Sequence, residues 1–379
     1  MEEILIRRTL TQAEHLKFRL LSEGIVLEGA AQDYIDRANG GRAMTPADYA
    51  STSGIILELE DEVWVNAPIE LYNPNFVSDS PFHLVLDAGL LAVEGDGLHS
   101  AARFWLPPAY HGEVNDEGEP YNSFAFTHGD RVRISPIEGC SMACKFCNLP
   151  YEFRYRTKRT DGLVDAVRVA LEDPIQPAHH VLISGGTPRP RDVEYVREVY
   201  AAVASMFPDV SVDIMMVPRP GLMDPEWLGE IGIDEVSVNL EIYNEEIGRS
   251  LMRQKAAQGR HVYLDYLEHA TKVLGPGRVR SMLMIGLEPL ADTLVGVEEI
   301  ARRGAVPVLS PFRPDAKTPL ADWSPPEPEN LEDAYLQAVE IVERHGVPLG
   351  PSCIPCSHNT LTLAGPMGAY RTFGRPSMV

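Results

Sequence analysis

Six short apolar runs, with helical periodicity filling the gaps between them, predict an α/β protein built on parallel strands with helices outside them. The runs are RVRISPI (131–137), HVLISGG (180–186), SVDIMMV (211–217), DEVSVNL (234–240), RVRSMLMIG (278–286) and AVPVLSPF (305–312). A length of 379 residues exceeds one ordinary domain, and an apolar fraction of 44% supplies a sizeable core. No dinucleotide-binding glycine fingerprint follows a strand, so an open doubly wound sheet and a partial barrel both stay open at this level.

The chain begins in a different style. TQAEHLKFRLLSEG carries a capping box, Thr11 with Glu14, and a stop at Gly24, which predicts a short helix. From about Ser53 to Trp105, β-like runs such as GIILELEDEVWVN and FHLVL are separated by Asn, Pro, Gly and Asp. The polar stretch HGEVNDEGEPYN (111–122) reads as a linker. Residues 1–128 are therefore expected to form a small N-terminal α+β domain and 129–320 the α/β unit.

Within that unit Val193, Val196, Tyr200, Val203 and Phe207 share one helical face. Tyr263, Tyr266 or Leu267, Ala270 and Val273 or Leu274 share another. SPFRPDAKTPLADWSPPEPEN is too rich in proline for a regular helix. A last helix over 331–344 and an irregular end make 321–379 a closing C-terminal tail.

With 33 basic and 55 acidic residues the net charge is −22, which argues against a nucleic-acid or anionic-membrane surface. The start, MEEILIRRTLTQAEHLKF, lacks the pattern of a secretory leader, and no apolar run is long enough to span a bilayer. A cytoplasmic location is expected. Five cysteines in two clusters then point to metal binding or catalysis rather than to disulfides.

Three of the five lie in GCSMACKFCNLP (139–150), spaced Cys140-x3-Cys144-x2-Cys147. Thiolates suit zinc or iron–sulfur clusters. Structural zinc takes four side-chain ligands, whereas three thiolates on a cubane cluster leave one iron open for chemistry. Gly139 and Ala143 let the loop approach such a cluster closely.

This spacing, with aromatic Phe146 before the last cysteine, resembles the signature of radical S-adenosylmethionine (SAM) enzymes, and biotin and lipoyl synthases in particular. The resemblance implies a partial (β/α)6 TIM-type barrel, whose open side admits substrate while its lumen shields a radical. It implies a [4Fe–4S] cluster on Cys140, Cys144 and Cys147, with SAM on the open iron. The implied reaction is reductive cleavage of SAM to methionine and a 5′-deoxyadenosyl radical, which takes hydrogen from a small organic substrate. The electron would come from a flavodoxin- or ferredoxin-type reductant, for which YEFRYRTKR (151–159) is a candidate docking patch.

Three further stretches carry the resemblance, each at the end of an apolar run. In ISGGTP, Gly185, Gly186 and Thr187 match the glycine-rich motif that meets the methionyl amine, with Thr187 where an acidic residue is usual. In VNLE, Asn239 and Glu241 match the Asn-Leu-acid stretch that holds the SAM ribose. In MLMIGLEP, Gly286 falls near the adenine position, while Glu288 breaks the spacing and reads as structural. Of the cations after the fourth strand (Arg249, Arg253, Lys255 and Arg260), Arg253 and Arg260 are the candidates for the SAM carboxylate.

The remaining pair, Cys353-x2-Cys356, is a candidate second site. An auxiliary iron–sulfur cluster there would need His358, Ser352 or Arg313, or an exogenous ligand, and would favour sulfur insertion among C–H functionalisations. Two buried thiols, or a catalytic thiol, are the alternatives. His179-His180 reads as loop, Met215, Met216, Met282 and Met284 as core, and Ser310 with Arg313 as facing the barrel mouth. Two readings from other classes stand beside the enzyme: a non-catalytic iron–sulfur electron-transfer or scaffold protein, and a zinc-stabilised binding module.

Overall fold

The computed structural model describes residues 8–49 and 54–379. Residues 1–7, part of the stretch read for a leader, and Ser53, the expected start of the β-rich run, lie outside them.

Helix α1 (Gln12–Glu23) starts on the expected capping box, with the Glu14 N–H donating to Thr11 Oγ1 and the Thr11 N–H to the Glu14 carboxylate. It ends at Gly24, whose φ of 71° suits glycine. Next come β1 (Val26–Leu27), α2 (Gly29–Ala38), β2 (Gly54–Leu59), β3 (Trp64–Pro68), β4 (His83–Asp87), β5 (Leu90–Gly95) and β6 (Leu98–Phe104). These strands form one sheet in the order β1-β4-β5-β6-β2-β3.

The second sheet opens with an antiparallel hairpin, β7 (Ala125–His128) and β8 (Arg131–Ile134). The expected boundary at residue 128 thus falls in the turn of that hairpin. A short ribbon, β9 (Ile137–Glu138) with β10 (Arg156–Thr157), brackets the cysteine loop and the single turn α3 (Leu149–Glu152). There follow α4 (Thr160–Leu171), β11 (His180–Ser184), α5 (Val193–Met206), β12 (Ser211–Met215), α6 (Pro225–Glu230) and β13 (Glu235–Ser237). After α7 (Glu245–Leu251), α8 (Arg253–Ala256) and α9 (Arg260–Leu274) the unit closes with β14 (Val279–Ile285), α10 (Leu290–Ala301) and β15 (Val306–Pro311).

The strand order is β7-β8-β11-β12-β13-β14-β15, parallel from β8 to β15. All six expected parallel strands are present, and β7 and β15 are left as separate edges. The curled sheet is a partial barrel.

Alternation along the strands gives the sheet an apolar outer face and a polar inner one. Val181, Ile183, Val212, Ile214, Val236 and Leu283 join the buried core with Val196, Val199, Tyr200 and Val203 of α5 and Tyr263, Leu267 and Ala270 of α9. The intervening positions carry polar groups, among them His180, Ser184, Asp213, Glu235, Ser237 and Arg280, all buried. Buried charges require partners. Arg280 provides them, lying 3.1 Å from Asp213 and 2.7 Å from Glu235.

Helix α11 (Pro328–His345) leads into the C-terminal segment. That segment is tied to the β15 edge, with the Gly350 N–H on Pro307 O at 2.8 Å and the Leu361 N–H on Leu309 O at 2.9 Å. The tail therefore covers the gap that the missing barrel strands would fill. The N-terminal domain is packed onto it, because α1 contacts both β3 and α11 and shares their buried core.

Candidate cluster and cofactor site

The cysteine loop emerges at the C-terminal edge of the parallel sheet, where α/β folds place their sites. Its shape is set by the glycines on either side. Gly139 has a φ of 68°, and a Cβ there would come within 2.8 Å of Phe153 O. The turn after β11 lies flat against the loop: a Cβ on Gly186 would stand 1.7 Å from Gly139 O, and one on Gly185 1.8 Å from Ser135 Oγ. Bare backbone is required at both.

That contact brings the loop and the Gly185–Thr187 turn into register. The Ser141 N–H donates to Thr187 O at 3.1 Å, while Cys140 Sγ accepts from the Thr187 N–H at 3.2 Å and the Met142 N–H at 3.3 Å. On the opposite side the Lys145 N–H donates to Leu251 O at 2.8 Å, and Phe146 and Cys144 pack against Ile242, Leu251, Met252 and Phe312.

Cys140, Cys144 and Cys147 open onto one cavity of about 130 Å³, shared with Gly185, Thr187, Met215, Met216, Asn239, Glu241 and Lys255. Burial lifts the Cys144 thiol to about 12 and the Cys147 thiol to about 11. With no bound metal Cys144 and Cys147 are thus protonated, and iron would be what draws them to thiolates. Three convergent sulfurs, one already accepting two amide N–H groups, fit an iron–sulfur cluster with one open corner.

Glu241 follows β13 with a φ of 64°, a region that is costly for a residue with a side chain. Two backbone bonds to β14 hold it there, Glu241 N–H to Met282 O at 2.8 Å and Met284 N–H to Glu241 O at 2.9 Å. Its carboxylate pairs with Lys255 Nζ at 3.0 Å, and the lysine side chain is 6% exposed. Asn239 is positioned by its own Oδ1, which accepts from the Ser237 hydroxyl at 2.8 Å and the Met282 N–H at 3.1 Å.

The arginines fall elsewhere. Arg253 is exposed. Arg260 stacks over the Tyr243 ring at 4.1 Å and donates to Tyr243 O at 2.9 Å, lining a neighbouring cavity of about 270 Å³. Lys255 lines both cavities, so the cation lining the cysteine cavity is a lysine of α8, one of the four cations noted in the sequence but not one of those favoured there. Gly286 is exposed with a φ of 99°, and a Cβ on it would meet Pro326 at 3.1 Å. Glu288 is structural as expected: it accepts from the Tyr243 and Asn244 N–H groups and the Thr293 hydroxyl.

Methionine spacing gave no sign that Met215 and Met216 line the cysteine cavity. Arg313 lines a cavity of about 530 Å³ with Asn148, Glu152 and Phe153, but its guanidinium is taken up by the N-terminal domain. It is buried, donating to Leu21 O at 3.1 Å and Asn66 O at 2.9 Å in the N-terminal domain. Arg156 and Arg159 of the expected docking patch are paired with Glu138 and with Glu119 and Asp161.

Cys353 and Cys356 are far from this cavity. Neither Ser352, which lies 3.4 Å from Glu235, nor Arg313 completes them. The groups beside them are Asp130, just before β8, and His180, the first residue of β11 and not a loop residue. These sit at the N-terminal ends of the strands. Ser184 of the cysteine cavity is at the other end of β11, about 13 Å along the strand.

A partial parallel barrel with three thiols on one cavity at its C-terminal edge is a site fitted to a cluster, and comparison with known proteins shows what this part of the chain is similar to. Residues 134–294 match the radical SAM superfamily. The chain carries a radical SAM domain, whose cofactors are a [4Fe–4S] cluster and SAM.

Among curated proteins it is 26% identical over 195 residues to the bacteriochlorophyllide c C-7(1)-hydroxylase of Chlorobaculum limnaeum, over 42% of this chain and 48% of that one. The chain thus spans about half the length of the curated relative it matches. Solved structures with a similar course include the FeFe-hydrogenase maturase of Carboxydothermus hydrogenoformans, at 16% identity over 58% of this chain and 52% of that one (TM-score 0.47). A radical SAM methyltransferase of Sphaerobacter thermophilus is similar at 18% identity over 71% of this chain and 76% of that one (TM-score 0.45). Among the described residues no helix is long and apolar enough to cross a membrane.

Proposed function

We propose that the protein uses SAM to functionalise a C–H bond of a small organic substrate, with Cys140, Cys144 and Cys147 as the cluster ligands. The observation that carries this reading is their convergence on one cavity with Glu241 and Lys255. A [4Fe–4S] cluster held by Cys140, Cys144 and Cys147 would supply the single electron for reductive cleavage of SAM, and with it the means to take a hydrogen atom from substrate. The chain's own groups hold and orient. Asn239 and Glu241 are assigned to the SAM ribose, the Gly185–Thr187 turn to the methionyl end and Lys255 to the carboxylate. Met215 and Met216 keep water from the cavity.

The name of the curated relative is that of a hydroxylase, and hydroxylation is one such C–H functionalisation. Sulfur insertion loses its main support, because the Cys353–Cys356 pair lies near the opposite strand ends. The electron donor is assigned as a one-electron reductant of flavodoxin or ferredoxin type. It would dock beside the cysteine loop, where Tyr151 and Phe153 are exposed.

Anaerobic, cluster-reconstituted protein should convert SAM to methionine and 5′-deoxyadenosine with dithionite. The Cys140→Ala/Cys144→Ala/Cys147→Ala variant should lose both products and its bound sulfide. Iron-loaded wild type that makes neither product would leave the electron-transfer or scaffold reading in its place.

A further inference from the structure

The group at the other end of the barrel has no part in this chemistry, yet its donors converge more tightly than packing requires. One ligand atom each from Asp130, His180, Cys353 and Cys356 lies within 4.8 Å of all the others, and all four residues are buried. Asp130 Oδ1 is 3.0 Å from Cys353 Sγ, 3.4 Å from Cys356 Sγ and 3.1 Å from His180 Nε2. Cys356 Sγ is 3.4 Å from His180 Nε2. A single carboxylate oxygen thus has two sulfurs and an imidazole nitrogen around it, while Asp130 Oδ2 has no partner.

We propose that Asp130, His180, Cys353 and Cys356 bind one structural zinc ion that fastens the C-terminal tail across the N-terminal end of the barrel. Two thiolates, an imidazole and a carboxylate are the donor types of zinc, and four protein ligands make a closed, non-catalytic site. The spacing selects a single ion. Zinc bond lengths of about 2.0–2.3 Å in a tetrahedron place neighbouring ligand atoms about 3.3–3.8 Å apart. The contacts above fall near that range, so loading the ion needs only small side-chain movements.

The scaffold is already rigid on both sides. His180 stacks on Phe373 with ring centroids 4.2 Å apart, and the Ile354 N–H donates to Arg371 O at 2.9 Å. Gly129, next to Asp130, accepts from the Trp105 indole at 2.7 Å through its carbonyl. The ion would join three segments that lie far apart along the chain: the β7–β8 turn, the start of β11, and the tail segment that carries both cysteines. No electron or group transfer is involved.

The proposal stands apart from the SAM reading, and the test keeps the two separable. Zinc, iron and acid-labile sulfide are counted in anaerobically purified, cluster-reconstituted protein, and the zinc K-edge spectrum is recorded. Expected are one zinc per chain, with two sulfur scatterers at about 2.3 Å and two lighter ones at about 2.0–2.1 Å. The Cys140→Ala/Cys144→Ala/Cys147→Ala variant should lose iron and sulfide but keep its zinc. Cys353→Ser/Cys356→Ser should lose the zinc and keep iron and sulfide.

Wild type without stoichiometric zinc overturns the proposal. So does a second iron–sulfide complement that disappears with Cys353 and Cys356, which would restore the auxiliary cluster. Should the double variant fail to fold, the wild-type metal count and sulfur coordination still decide.

Discussion

Lys255 is the side chain on which the cofactor pocket turns. A buried ammonium 3.0 Å from a carboxylate that is itself fixed in a left-handed backbone conformation is a prepared charge pair. A hydrogen bond to a charged group contributes about 1.5–3 kcal/mol. Lys255→Met should therefore weaken SAM binding about 10- to 100-fold in equilibrium dialysis, with iron content unchanged, and Lys255→Arg should recover part of the loss. An unchanged affinity in Lys255→Met would remove the lysine from the SAM site.

In the sequence this residue was one of four cations within twelve positions, and guanidinium geometry favoured Arg253 and Arg260. Only the fold shows that Arg253 points to solvent and Arg260 is spent on Tyr243. The cysteines, Gly185, Gly186, Asn239 and Glu241 were legible because each is bound to a strand end by local sequence. Arg313 misled for the opposite reason, since its partners are 292 and 247 residues away in the N-terminal domain.

At the scale of elements, the six parallel strands and the helices between them could be read directly. Outward positions are apolar and buried in helices whose own faces repeat at 3.6 residues. The hairpin strand β7 was less legible: Ala125–His128 is four residues long and falls at the end of the N-terminal domain, before the expected boundary at 128. The Asp130–His180–Cys353–Cys356 group was legible only as its last two members, because Asp130 stands 223 residues before Cys353.

The closest meeting of elements is between the cysteine loop and the turn after β11, and it gives a sharp expectation. Gly186→Ala would drive a methyl group to 1.7 Å from Gly139 O, backbone against backbone, with no flexible side chain to yield. Separating the two segments breaks the hydrogen bonds from the Thr187 N–H to Cys140 Sγ and from the Ser141 N–H to Thr187 O. A cost of about 3 kcal/mol is expected, together with a loss of bound iron and sulfide. Urea denaturation and an iron assay measure the two effects. Full iron loading in Gly186→Ala would show that the turn does not set the loop.

At the scale of the molecule, the barrel's open side is closed by parts brought from both ends of the chain, and Lys17 holds them together. From α1 its ammonium donates to Ser357 O at 3.0 Å and Thr362 O at 2.6 Å, with no exposure to solvent. Burial lowers its pKa to about 7, against the opposing pull of Glu14. His358 faces the same region, and burial together with the cations around it, Lys17 and Arg313 among them, holds it well below its usual pKa and so neutral.

An unfolded lysine titrates near 10.5, so between about pH 7 and 10 the unfolded chain binds the proton that the folded chain has released. Stability from this group must then rise with pH across that window. Below about pH 7 both states are charged and the slope vanishes. Lys17→Met removes this titration, and His358, whose shift Lys17 contributes to, is neutral in the fold across this window with or without the lysine. The difference in unfolding free energy, wild type minus Lys17→Met, should therefore grow by on the order of 3 kcal/mol from pH 7 to pH 10 in urea titrations. A difference that stays flat would mean that Lys17 keeps its charge in the fold, and that a paired ammonium rather than a neutral amine joins the two ends of the chain.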